Sequence, residues 1–219
     1  MPKYALGGMA SLSTSERAAL ADLLEDVGPD QPTLCAGWDT YDLAAHLVVR
    51  ERRPDSTPGL ILPAMAGWTE RVRRGARENT SFPDLVRTFR AGAPLWSPLG
   101  LPFVESATNT VEYFIHAEDV RRAQPGRELR ELPEELEQYL WSRLRRGARL
   151  MVRSAPVGVT LAAPGYGLVV AHTGEPMVTV SGAPSELTLF CSGRQQAARV
   201  TTTGDPAAAD RLISTRFGA

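Results

Sequence analysis

The chain has 219 residues, 24 Lys and Arg against 25 Asp and Glu, and 43% hydrophobic residues, which is enough to bury a core in one large domain or two small ones without disulfides. Basic residues are interleaved with acidic ones, which argues against nucleic acid as a partner, and no stretch approaches the roughly 20 apolar residues of a membrane helix. Cys35 and Cys191 lie far apart without Cys or His at metal-finger spacing, so they read as reduced thiols of a soluble, cytoplasmic protein.

Residues 1–12 read as a leader, disordered and unpatterned, with Met9 a candidate start. Ser13 and Glu16 then match a capping box at the head of an Ala/Leu-rich helix that Gly28 stops. After Pro32, Asp39 or Thr40 can cap a second helix from Tyr41 to Arg52, ended by Pro54 and Pro58, with His46 at its centre. Leu60 to Glu78 has helical spacing, and Ser81-Phe82-Pro83-Asp84 supplies a cap and an early proline for a short helix. A Pro/Gly-rich connection from Ala93 to Pro102 leads to a helix from Val104 to Arg122, and Pro133 opens a last long one reaching Val152.

The pattern changes at Ala155-Pro156. Val157 to Ala162, Leu168 to His172 and Met177 to Ser181 are short, β-branched and separated by Gly/Pro turns, hence strands. Pro184 to Ser192 reads as a helix, Ala198 to Thr202 as a strand and Pro206 to Ser214 as a closing helix. The expected class is α+β, with a helical bundle over residues 13–153 and a small α/β domain over 155–219.

The helix from Val104 carries Glu112, His116 and Asp119 on one face, while Glu118, Arg121 and Arg122 form a charged stripe that should face solvent. Glu112, His116 and Asp119 are thereby aimed at the bundle interior, where burying a carboxylate and an imidazole is costly unless they are paired or hold a metal. The helix containing His46 is apolar nearly all round, which makes His46 the third ligand. Two His and one carboxylate, with a position left open, form a catalytic-type zinc site; a structural site is usually closed by four protein ligands. The same donors suit iron or nickel. Asp119 fits an outer carboxylate orienting a ligand imidazole, or a proton acceptor. A Glu-x-x-x-His pair also arises as a local ion pair, and His46 also fits a hydrogen-bonded core histidine. Both readings stand open on the residues alone. Cys35 and His172 read as ordinary buried or half-buried residues, Arg143 to Arg149 as a solvated helix face, and the four tryptophans as core or pocket wall.

The run Leu34-Cys35-Ala36-Gly37-Trp38-Asp39, followed by Asp42-Leu43-Ala44-Ala45-His46-Leu47 and later by Glu112-Tyr113-Phe114-Ile115-His116-Ala117-Glu118-Asp119, resembles the mycothiol-dependent maleylpyruvate isomerase family, within the wider DinB-like metal-binding bundles. Glu186-Leu187-Thr188-Leu189 leading to Gly193-Arg194 is similar to that family's carboxyl-terminal domain. The resemblance implies a DinB-like bundle, one divalent metal on His46, Glu112 and His116, and a mycothiol-like thiol as cosubstrate. It implies addition of that thiol to a small electrophile, as transferase or isomerase, with Arg194 contacting an anionic group of the substrate. A non-catalytic metal-binding module and a hydrolase using metal-activated water are the competing classes.

Overall fold

The computed structural model describes residues 6–55, 66–94, 96–97 and 102–217, and side chains from residue 12 onward except 66 and 102–108 within these spans. Two compact units divide at Leu129 and Arg130.

The first unit contains α1 (Leu6–Val27), α2 (Thr40–Arg52), α3 (Ala66–Asn79), α4 (Phe82–Ala91) and α5 (Pro102–Arg121). Its core gathers Leu20, Leu24, Leu43, Leu47, Leu85, Phe89 and Tyr113. The α1 helix starts at Leu6, which corrects the leader reading for residues 6–12; residues 1–5 lie outside the described residues. Ser13 and Glu16 are therefore not a cap but interior helix positions, 0% and 4% exposed. No proline interrupts residues 6–12, so the helix continues upstream of its apparent start signal. Gly28 ends it at φ +79°, a left-handed conformation that glycine adopts without steric cost. The expected start of α3 at Leu60, and part of the 93–102 connection, fall outside the described residues.

Asp39 begins α2 with a capping box: its carboxylate accepts from the Asp42 N–H at 2.8 Å, and Asp42 accepts from the Asp39 N–H at 3.4 Å. Arg77 of α3 donates to both Asp39 oxygens at 2.5 and 2.8 Å, and Arg73 pairs with Asp42. Burial opposes the Asp39 charge, but Arg77 and the Asp42 N–H outweigh it and hold the carboxyl below its ordinary value. Asp39→Ala should cost about 0.5–2 kcal/mol through the lost cap alone. Chemical denaturation measures this, and an unchanged midpoint would contradict the role.

The second unit contains α6 (Glu134–Met151), β1 (Gly158–Ala163), β2 (Gly167–His172), β3 (Met177–Ser181), α7 (Pro184–Cys191), β4 (Thr201–Thr203) and α8 (Pro206–Ser214). The sheet order is β2-β1-β3-β4; the β1–β3 pair is parallel and both outer pairs antiparallel. The class is thus α+β, a helical unit followed by a small α/β unit. The boundary differs from the expected one, because α6 joins the sheet. Trp141, Leu144, Ala148 and Val152 share a core with Val159, Leu161, Val180 and Phe190. The α7 cap residue, Ala183, offers no side-chain acceptor, and Glu137 of α6 replaces it by accepting from the Ser185 N–H and Oγ–H at 2.8 and 2.7 Å. Arg145, Arg146 and Arg149 lie exposed on α6, as expected of a solvated face.

Trp141 is buried and Trp38 half-buried, but Trp68 and Trp96 are 40% and 64% exposed, which removes the core alternative, though not the pocket-wall one, for those two. Arg71 lies over the Trp68 ring instead. Both cysteines are free thiols. No described helix is long and apolar enough to cross a membrane.

Candidate metal centre

His46 sits mid-way along α2, and Glu112 and His116 are one turn apart on α5, a spacing that places their side chains side by side. His46 Nε2 is 3.6 Å, and His116 Nε2 3.2 Å, from Glu112 Oε1. The imidazole rings meet edge to face with centroids 5.3 Å apart. One donor atom from each of the three residues falls within 4.8 Å of the others, a separation that fits a single cation between them. The Glu112 side chain is 30% exposed while those of His46 and His116 are 12% and 9%, so the cluster is reached from solvent on the carboxylate side.

Asp119, fully buried, accepts from His116 Nδ1–H at 2.9 Å. That bond fixes the ring and turns Nε2 toward Glu112 and His46, as an outer carboxylate does for a ligand imidazole. Burial lowers the His46 pKa and keeps that ring neutral, the form with a lone pair to give. Burial also works against charge on His116 and Glu112, but is overcome in both. Hydrogen bonds to Asp119, Cys35 and Glu112 hold His116 well above its ordinary value, and the two imidazoles with Arg50 hold Glu112 well below its own. An arriving cation would therefore displace a proton from His116 Nε2. Two imidazoles, one neutral, and an ionised carboxylate are a donor set that fits a divalent ion of the zinc type.

Three neighbours were not singled out by the sequence patterns. Arg50, one turn after His46, places Nε 3.3 Å from Glu112 Oε1 and donates from Nη1 to Asn109 Oδ1 at 2.7 Å. Trp38 packs against His46 at 5.0 Å, with the Arg73 guanidinium 4.9 Å from its ring centroid. Cys35, read as an ordinary thiol, donates from Sγ to Asp119 Oδ2 at 3.2 Å. Only Arg50 had a legible signal, its four-residue spacing from His46.

Glu118 overturns part of the helix-face expectation. It is 2% exposed, not solvent-facing, and accepts from Arg122 Nε at 2.8 Å. The pairing compensates its charge and so permits burial of a face that the charged stripe had marked as solvated. Arg194 belongs to the second unit, where Nη1 donates to the Ser192 carbonyl at 2.5 Å. His172 is half-buried, as expected, and bonds the Val157 carbonyl through Nδ1 at 3.0 Å.

The fold is a helical unit followed by a small α/β unit. Among solved structures it is similar to the mycothiol-dependent maleylpyruvate isomerase, with a TM-score of 0.56 at 17% identity over 91% of this chain and 93% of that one. A histidine-to-alanine mutant of that enzyme matches equally well in fold, at 16% identity. At such identities the likeness is one of fold. No family model matches the sequence, and no curated protein matches it.

Proposed function

We propose that the chain is a metal-dependent enzyme that activates a low-molecular-weight thiol, mycothiol-like, for addition to a small electrophile, as an isomerase or transferase. The observation that carries this reading is the convergence of His46, Glu112 and His116 on one partly open point. The fold shared with a thiol-dependent isomerase supports the choice of thiol over water. A divalent cation held by the three residues would favour the thiolate form of a thiol at its open position, the form that attacks carbon.

In this reading His46 gives a neutral ring nitrogen, Glu112 a carboxylate oxygen, and Asp119 keeps His116 turned so that Nε2 serves the centre. Arg50, beside Glu112, adds positive charge that favours an anionic thiolate there.

The test is turnover of electrophiles, maleylpyruvate among them, by zinc-loaded protein with and without mycothiol. Thiol-dependent turnover that His46→Ala abolishes is expected. No turnover with any electrophile, together with no thiol binding by the loaded protein, would overturn the reading.

A further inference from the structure

His116 has two ring nitrogens, and only Nε2 faces the centre described above. On the Nδ1 side stands a second set of donors: Cys35 Sγ lies 3.2 Å from Asp119 Oδ2 and 3.9 Å from His116 Nδ1, and Asp119 Oδ2 lies 2.9 Å from that nitrogen. A tetrahedral zinc ion with Zn–S about 2.3 Å and Zn–N or Zn–O about 2.0–2.2 Å sets its ligand atoms about 3.3–3.6 Å apart. The three observed separations bracket that range.

The loop that brings Cys35 to this position is built from several fixed contacts. The Leu34 N–H donates to the Asp119 carbonyl at 3.0 Å, the Cys35 N–H to Thr33 Oγ1 at 3.1 Å, and Thr33 Oγ1–H to the Trp38 carbonyl at 2.7 Å. Ala36 and Gly37 are exposed and Cys35 is half-buried, which leaves an approach from solvent.

We propose that Cys35, Asp119 and His116 Nδ1 form a second, thiolate-containing site for a soft divalent cation, and that this site and the His46–Glu112–His116 centre exclude one another. The exclusion follows from the ring, because a neutral imidazole has one lone pair. When Nδ1 ligates, the remaining ring proton sits on Nε2 and is donated to Glu112 Oε1, 3.2 Å away. The Cys35 thiol proton and the His116 Nδ1 proton leave to solvent as the cation binds. Thiolate softness selects the cation class. Such an ion would switch off the first centre by taking the imidazole they share.

The experiment is a Cd2+ titration of the full, metal-free chain, following the ultraviolet thiolate-to-metal charge-transfer band and counting bound ions by equilibrium dialysis. The band should appear in the wild type and in His46→Ala and vanish in Cys35→Ser, and the wild type should saturate at one ion. Cd2+ should also protect Cys35 from iodoacetamide in the unmodified chain, a readout that needs no variant; Cys191 is fully buried. Absence of the band, its persistence in Cys35→Ser, its loss in His46→Ala, failure of protection, or two ions bound at once would overturn the proposal. Loss of all binding in Cys35→Ser, with the band present in the wild type, would count against the first centre and support this one.

Discussion

Arg17→Met should destabilise the first unit by about 3–5 kcal/mol, the cost of leaving a buried charge without its partner. Arg17 of α1 donates to Glu51 Oε1 of α2 at 3.3 Å and to the Tyr113 hydroxyl of α5 at 2.8 Å, and the Tyr113 hydroxyl in turn donates to Glu51 Oε1 at 2.5 Å. The Arg17 and Glu51 side chains are only 8% and 1% exposed, so water cannot replace a lost member. Three helices are tied at one point, and the guanidinium also lies 5.1 Å from the Tyr113 ring centroid.

The deficit should depend on pH. Burial raises the Glu51 pKa above its ordinary 4.5 even against Arg17 and Tyr113, and removing Arg17 lets it rise further. A carboxyl raised on folding contributes most below its unfolded pKa and loses that contribution as pH rises through its folded pKa. The gap between Arg17→Met and wild type should therefore be smallest in acid and widen toward neutral pH. Chemical denaturation at several pH values reads this directly. The double variant Arg17→Met/Glu51→Gln should recover part of the loss, since no uncompensated charge remains. A cost below about 1 kcal/mol would mean the pair behaves as a solvated surface pair.

The second large effect is on metal affinity. Asp119→Ala should weaken the cation at His46, Glu112 and His116 by about 10–100-fold, although Asp119 touches that centre only through His116. Without the carboxylate, the Nδ1–H keeps only the Cys35 sulfur, 3.9 Å away, and the ring is freer to present either nitrogen. Chelator competition at alkaline pH, where no proton competes for Nε2, isolates the effect. Unchanged affinity would show that packing alone orients His116.

Much of this was legible in the sequence because the signals are local. Periodicity placed α2 and α5, the Pro184 and Pro206 helices and the three longer strands, and the four-residue spacing of Glu112 and His116 put them on one face. The misses are tertiary. Glu118 reads as solvated until Arg122 folds against it, and Ser13 and Glu16 read as a helix start until the packed α1 is seen to run through them. The assignment of α6 to the sheet unit depends on which apolar neighbours Trp141 and Leu144 find, which their own spacing does not encode. The Arg17–Glu51–Tyr113 network spans 96 residues, and no local pattern announces it. Cys35 gained meaning only when its loop was seen to dock on Asp119.

Elemental analysis of protein purified without a metal-affinity tag, in a Cys35→Ser background that leaves only the His46–Glu112–His116 centre, tests the metal assignment most directly. Near-stoichiometric divalent metal is expected in that background, lost on adding either His46→Ala or His116→Ala. Metal content unchanged by both substitutions, or a background protein that takes up no ion even with added zinc, would mean that the three residues form a structural polar cluster and that no enzyme chemistry rests on a metal there.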